Sequence, residues 1–235
     1  MKDIKLNINI DVLKIFALVT MTIDHVGKYL LENGVLKECM FAVGRTSFPI
    51  FSFLLMMHLA KMDIYKKYII RLLGFGLLSL VVVALFQSLG CDVNIFSLNI
   101  LLSFLLGVVF LKICDLIKKE EGPKLLKAIM LGFSFCVFTF LSLAFEYKFF
   151  GFLFLVFLYL YFKKKNNIIL GIVLLLSCLI NFSEYWVISF FTMVVLFFNQ
   201  YDVKHKRIIN KWWFFYAYYP LHLFIIFCFK FFIAN

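Results

Sequence analysis

The sequence predicts an all-α fold: a polytopic bundle of about nine transmembrane helices, with eight or ten as the alternatives. Hydrophobic residues make up 64% of the chain, and its mean hydropathy is +1.00. A soluble domain contains about 45–50% apolar residues and could not cover so much apolar surface. Apolar runs near the 20-residue length of a membrane helix follow one another along the chain. Lys and Arg concentrate in every second connection between these runs, which is typical of a multi-pass membrane protein.

Nine segments have the hydrophobicity expected of membrane helices, although the sixth to eighth are short. Removing one of the short segments would reverse the orientation of every later connection and destroy the charge pattern. The chain contains no Gly- or Ser-rich linker and no internal repeat, so residues 1–235 are predicted to form a single domain. The predicted segments are 11–31, 45–60, 68–89, 95–113, 125–145, 149–162, 167–182, 185–200 and 212–233.

The distribution of positive charge predicts a cytoplasmic N-terminus. With that orientation, 19 of the 24 Lys and Arg residues lie on the cytoplasmic side. The net charge of +11 then reflects a basic rim facing anionic lipid headgroups, and no nucleic-acid partner is needed to explain it. Attraction of an anionic cytosolic substrate is the alternative. Heavy use of Phe, Ile, Lys and Asn suits an AT-rich bacterial genome, so the expected location is a bacterial plasma membrane.

The first helix carries ionisable side chains that are costly inside a bilayer, namely Lys14, Asp24 and His25. Eleven steps of about 100° bring Lys14 and His25 to the same helix face, about 16 Å apart along the axis. A polar stripe of this kind faces a protein interior or a cavity rather than lipid. Neutral imidazole is an effective general base, so His25 is the leading catalytic candidate. A histidine buried for packing is the alternative.

Arg45 begins the second predicted helix at a depth similar to that of Asp24. Adjacent residues on a helix do not face each other, so Asp24 is not expected to orient His25 directly. We expect Asp24 either to pair with Arg45 across helices or to contact an acceptor. Asp24 and Arg45 therefore join His25 as catalytic candidates.

Two further groups of residues are candidate binding sites. Lys66, Lys67 and Arg71 form a basic entry to the third helix, which predicts either an interfacial anchor or a site for phosphate groups. The last helix brings Tyr216, Tyr219 and His222 to mid-membrane, and the fourth contributes Asn99; these are candidates for lining a substrate cavity.

The six cysteines do not have the spacing of metal ligands, so no metal site is predicted. Cys39 and Cys91 both fall in connections expected on the outer side. Whether they form a disulfide is left open, because the sequence does not show that they meet.

The motifs of the chain resemble the TraX family over nearly its whole length. The first block is Lys14-x6-Met21-Thr22-x-Asp24-His25, and Gly44-Arg45-x2-Phe48-Pro49-x-Phe51 follows. Where the family often has Asp-Tyr-Gly, this chain has Glu146-Tyr147-Lys148. The last block is Phe215-Tyr216-x2-Tyr219-Pro220-Leu221-His222-Leu223.

This resemblance implies an acetyltransferase, since the member that gives the family its name acetylates the N-terminus of F pilin. The family is in turn similar to a larger superfamily of membrane acyltransferases. In the acyltransferase-three branch of that superfamily, an Arg, ten residues and a His lie in the first helix, and Lys14 and His25 reproduce this spacing. The similarity implies that the basic residue helps to hold acetyl-CoA and that the histidine lies at the point of transfer.

Together, residues and resemblance predict that acetyl-CoA approaches from the cytoplasm, with its phosphates near Lys14, Lys66, Lys67 and Arg71. His25 would deprotonate an acceptor hydroxyl or amine near the outer face. The acceptor is left open among a protein N-terminus, a peptide and an envelope glycan. The alternative from a different class is a transporter or exporter whose polar stripe lines a translocation path.

Overall fold

The structure, a computed structural model, describes residues 7–89, 99–181, 185–202, 208–209, 211 and 213–234. Ten α-helices and two short strands account for most of these residues. The strands are β1 (Asn7–Asn9) and β2 (Gln200–Asp202). The helices are α1 (Ile10–Leu30), α2 (Val35–Gly44), α3 (Ser47–Met62), α4 (Tyr65–Ser88), α5 (Ile100–Lys119), α6 (Lys124–Ser142), α7 (Lys148–Lys164), α8 (Asn167–Leu179), α9 (Trp186–Phe198) and α10 (Phe214–Ala234).

The predicted helical bundle is confirmed, and each of the nine predicted segments corresponds to one helix. Within the described residues, five helical stretches are long and apolar enough to cross a membrane, and α8 and α9 are shorter apolar helices. The protein is therefore a multi-pass membrane protein. The five long stretches are Val35–Met62, Tyr65–Ser88, Ile100–Lys119, Lys124–Ser142 and Phe214–Phe232.

Two features differ from the prediction. Helix α2 occupies a connection that was expected to be non-helical, because its ten residues are too few to be recognised as a membrane span. It nearly continues into α3, and only Arg45 and Thr46 separate the two helices. In addition, β1 pairs with β2 in parallel, which ties the start of the chain to the segment after α9.

Polar contacts show that alternate connections meet at the same end of the bundle. At the end where α1 begins, hereafter the N-terminal end, Lys163 lies 3.0 Å from Asp63 and Asp11 accepts a hydrogen bond from the amide of Ile208. At the opposite end, Tyr185 donates a hydrogen bond to Glu38. The up-and-down order predicted from loop charge therefore agrees with the fold. Four residues used in the predictions lie outside the described residues. They are Lys204, Lys206 and Arg207, which are among the 19 residues assigned to the cytoplasmic side, and Cys91 of the possible disulfide.

Helix α1 lies within the bundle, where it packs against α2, α3 and α10. Helices α1 and α2 approach closely because glycine occupies a contact position between them. A Cβ atom on Gly44 would lie 2.2 Å from that of Asp24, so only glycine lets α2 and α1 meet here. Large apolar side chains, including Phe48, Phe154 and Phe227, fill the fully buried core around these helices.

Candidate active site

Two histidines from distant parts of the sequence meet at the centre of the candidate site. Helices α1 and α10 run parallel, and this brings His25 of α1 beside His222 of α10. The Nδ1 atom of His25 lies 2.7 Å from the Nε2 atom of His222. Their rings stack with centroids 5.0 Å apart and planes inclined by 11°. Both side chains are buried, with 4% of each residue exposed.

The hydrogen bonds of His222 fix the positions of the protons in this pair. Its Nδ1 atom lies 3.0 Å from the carbonyl oxygen of Tyr218, which can only accept, so Nδ1 carries the proton and donates. In a neutral imidazole the other nitrogen is then an acceptor. The Nε2 atom of His222 therefore accepts the Nδ1–H of His25. This leaves the lone pair of His25 on Nε2, where it is available to take a proton from another group.

A second pair of polar groups lies one turn further towards the N-terminal end. The hydroxyl of Thr22 donates to the carbonyl oxygen of Leu18 at 2.9 Å and accepts from the hydroxyl of Tyr218 at 2.8 Å. The ring of Tyr218 stacks on that of His222 with centroids 5.3 Å apart. Tyr218 thus supports His222 through both its carbonyl and its ring. Sequence reasoning did not assign a role to Thr22 or Tyr218, although each lies one turn before a candidate histidine.

Tyr219 lies against both histidines, as expected for a residue of a common site. Its ring centroid is 6.3 Å from that of His25 and 5.4 Å from that of His222. Its side chain is almost completely buried. A phenol O–H is a hydrogen-bond donor, so Tyr219 brings a donor to the histidine pair.

The expected pair between Asp24 and Arg45 is present. The Nη2 atom of Arg45 donates to Oδ1 of Asp24 at 3.1 Å, and its Nη1 atom lies 3.9 Å from Oε1 of Glu146. One guanidinium therefore faces two carboxylates, one from α1 and one from the turn between α6 and α7. The buried Nε–H of Arg45 has no hydrogen-bond partner within the described residues. The sequence pointed to Glu146 only through the motif Glu146-Tyr147-Lys148, and no partner was expected for it.

Lys14 lies at the N-terminal end of α1, about three helical turns from His25. Its ammonium group donates to Oδ1 of Asp11 at 2.9 Å and lies 4.7 Å from the ring centroid of Phe215. The other oxygen of Asp11 accepts the backbone amide of Ile208. Lys14 is thus held between a carboxylate and an aromatic ring, and it is only partly exposed.

The remaining predicted residues lie away from the histidine pair. The guanidinium carbon of Arg71 is 5.9 Å from the ring centroid of Tyr216, so these two residues form a separate cluster nearer the N-terminal end. Lys66 and Lys67 are exposed at the start of α4. Asn99 is buried, caps α5 and donates to the carbonyl oxygen of Gly76 at 2.9 Å, which gives it a structural role between α4 and α5.

The described residues contain no group of three or more His, Cys, Asp and Glu side chains that could hold a metal ion. The chemistry that the arrangement offers is proton transfer at His25, with the phenol ring of Tyr219 against the histidine pair.

A comparison with protein-family models found one family, described as "TraX protein", whose model matches residues 9–230. The matched region contains every candidate residue described above. No curated protein and no solved structure matched the chain.

Proposed function

Because the chain belongs to the TraX family, we propose that it is an integral-membrane acetyltransferase. It would transfer an acetyl group from cytosolic acetyl-CoA to a hydroxyl or amine at or near the outer face of a bacterial plasma membrane. The N-terminal end of the bundle is then the cytoplasmic end, in agreement with the excess of Lys and Arg in its connections.

The main support for the proposal comes from the positions of the protons in the histidine pair. His222 accepts the Nδ1–H of His25, so Nε2 of His25 holds a lone pair in a buried site. In the proposed reaction this atom takes the proton of the acceptor as the acceptor's oxygen or nitrogen attacks the thioester carbon. The C–S bond then breaks, and His25 returns the proton to the sulfur of CoA.

The attack places negative charge on the thioester oxygen, and a donor close to His25 must stabilise it. Tyr219 is in ring contact with both histidines, and its phenol O–H is a hydrogen-bond donor. Arg45 is the second candidate, because its buried Nε–H has no partner within the described part of the chain. Asp24 acts in this scheme by holding Arg45 in place.

The basic residues at the N-terminal end would hold the phosphates of acetyl-CoA. Lys66 and Lys67 are exposed at the start of α4, and the guanidinium group of Arg71 lies beside the ring of Tyr216. Lys14 is paired with Asp11. Lys14 would reach a phosphate only by sharing its ammonium group between Asp11 and that phosphate, so we expect it to contribute less than the exposed Lys66 and Lys67. The CoA arm would extend about 16 Å between helices to bring the thioester to His25.

The direct test is the thermal stability of the purified protein with acetyl-CoA, CoA or ATP. A ligand at 100 times its dissociation constant stabilises a protein by about 2.7 kcal/mol. We expect acetyl-CoA and CoA to raise the melting temperature and ATP to have little effect. The shift should be smaller in Arg71→Ala and unchanged in Lys124→Ala, which removes an exposed charge at the start of α6. No shift with saturating acetyl-CoA would overturn the proposal and favour a transporter.

A further inference from the structure

A groove of about 390 Å³ lies between α1 and α10 next to the histidine pair. Its volume falls in the range of about 300–1,000 Å³ that is usual for ligand sites. Almost all of its wall is apolar, and His222 is part of that wall. The residues that line it include Val26 and Leu30 of α1 and Leu221, Ile225 and Phe229 of α10.

The groove has the dimensions of a lipid chain in one leaflet. It follows α1 from Thr22 to Leu30, which is about 12 Å along the helix axis. One half of the hydrocarbon core of a bilayer is about 15 Å thick. Ile225 and Phe229 on its rim are 46% and 58% exposed, so the groove opens sideways towards the hydrocarbon of the membrane.

The polar groups along the groove are already satisfied. Thr22 and Tyr218 bond to each other at its inner end, and both ring nitrogens of His222 are engaged. The wall therefore offers no unpaired hydrogen-bonding group to a polar ligand, and an apolar chain is the occupant that it suits.

Two lysines lie at the level of the outer end of the groove. The ammonium groups of Lys28 and Lys230 lie 5.6 and 5.5 Å from the ring centroid of Tyr29. Neither lysine has a carboxylate partner within the described residues, and Asp24, one turn away on α1, is paired with Arg45. The ring of Tyr29 is itself 6.3 Å from that of His25. A negative group seated over Tyr29 would therefore meet two positive charges one helical turn from the candidate base.

We infer that the groove and the two lysines form the site of an anionic lipid, which enters from the membrane and carries the acetyl acceptor. Its chain lies in the groove, its phosphate lies between Lys28 and Lys230, and a hydroxyl of its headgroup reaches His25. That hydroxyl gives its proton to Nε2 of His25 and forms an ester with the acetyl group, and CoA leaves as the thiol. The acceptor role rests on the proposed acetyltransferase function; the binding of the lipid does not.

Native mass spectrometry of the full chain in detergent tests the binding. The probes are phosphatidylglycerol, whose headgroup has a phosphate and free hydroxyls, and phosphatidylcholine with the same chains. We expect the protein to retain phosphatidylglycerol about tenfold better or more. The preference should disappear in Lys28→Ala/Lys230→Ala, and Ile225→Trp, which fills the groove, should lower retention of both lipids. Lys37→Ala is the control, because it removes a charge at the same end without touching the groove.

Equal retention of both lipids would overturn the inference. A preference that survives in the double lysine variant would also overturn it, as would a preference that Lys37→Ala lowers equally, since that result would indicate general surface charge. Retention unaffected by Ile225→Trp would show that the chain lies elsewhere.

The acceptor role is tested with radiolabelled acetyl-CoA and protein in nanodiscs that contain phosphatidylglycerol. Label in the organic-soluble lipid fraction supports the inference. A parallel reaction would also contain a membrane extract as a source of other acceptors. If the label were found only in water-soluble or protein acceptors, the lipid acceptor would be ruled out and the acetyltransferase function would stand. Failure of acetyl-CoA to bind or turn over would instead count against the proposed function, and lipid retention would then still be measured independently.

Discussion

His25 donates its Nδ1–H to the Nε2 atom of His222 across 2.7 Å, between the first and last helices of the bundle. The direction of this bond follows from the carbonyl of Tyr218, which requires the proton of His222 to be on Nδ1. Along this series of hydrogen bonds, the carbonyl of Tyr218 fixes the proton of His222, and His222 in turn fixes the proton of His25 on Nδ1. Nε2 of His25 is therefore the nitrogen that can act as a base. We call this series the histidine relay, and the first prediction concerns it.

Replacing His222 separates its role as an acceptor from its role in packing. His222→Gln keeps an oxygen that can accept the Nδ1–H of His25, whereas His222→Leu leaves that N–H buried without a partner. An unsatisfied buried donor costs about 1–3 kcal/mol. We expect His222→Leu to lower thermal stability and to reduce acetyl transfer by about tenfold or more, because the proton of His25 is no longer held on Nδ1. His222→Gln should lose less thermal stability and less acetyl-transfer activity than His222→Leu. Equal loss in the two variants would contradict the relay.

Removing Arg45 should destabilise the protein because Asp24 is then buried without its partner. Both side chains are less than one-fifth exposed, and breaking such a pair costs about 3–5 kcal/mol. We expect Arg45→Met to lower the unfolding free energy by about 3 kcal/mol or more, and Asp24→Asn/Arg45→Met to regain about half of the loss.

The matched control is Asp115→Asn, which breaks the pair with Lys119 at a position where the lysine is 72% exposed. Its effect should be about 0–1 kcal/mol. If Arg45→Met proved as mild as this control, Arg45 would not serve to neutralise Asp24.

Two glycine-to-alanine changes should have opposite effects on stability, because Gly44 lies at the contact between α1 and α2 and Gly74 does not lie at a helix contact. A Cβ on Gly44 would overlap the side chain of Asp24, and overpacking of this kind costs about 1–3 kcal/mol. A Cβ on Gly74, in the interior of α4, meets no atom within 4 Å. Alanine there should stabilise the helix by about 0.5–1 kcal/mol. Thermal melts of the two variants check this, and a Gly44→Ala protein as stable as wild type would show that the helices have room to separate.

Lys148 begins α7 with a φ of +43°, in the left-handed region that glycine adopts without strain. Glycine would adopt this conformation at lower cost than lysine, and glycine is the residue that the resemblance implies at this position of the Asp-Tyr-Gly motif. We expect Lys148→Gly to stabilise the protein by about 1 kcal/mol. Lys148→Ala removes the same charge and keeps the strain, so it should give no gain. Similar melting temperatures for the two variants would contradict this explanation.

The sequence predicted the bundle well because each membrane helix is marked by its own length, hydrophobicity and flanking charge. Helix α2 was missed since ten residues carry no such mark. The pair of Asp24 and Arg45 was predictable, because both residues lie near the outer ends of the first two predicted membrane segments.

The contact between His25 and His222 was not predictable to the same degree. An odd number of spans predicts that the first and last helices run in parallel, but periodicity does not encode that they are neighbours. The sequence also assigned Tyr216 and Tyr219 to one cavity because both lie on the last helix, whereas in the structure they have different neighbours. Tyr216 lies beside Arg71, and Tyr219 lies beside the histidines. Asn99 was grouped with them as a polar residue in a membrane helix, and the structure uses it as a helix cap.

The role of His25 as the catalytic base is tested most directly by acetyl transfer in native membranes. Membranes that contain wild-type protein, His25→Gln or His58→Gln would be given radiolabelled acetyl-CoA, and both the release of CoA thiol and the label retained by the membranes would be measured. His58 is the control, because it lies in α3 and hydrogen-bonds the carbonyl of Leu54. We predict that His25→Gln loses about 100-fold or more of both signals and that His58→Gln keeps them. Full transfer by His25→Gln would contradict the assignment of His25 as the base.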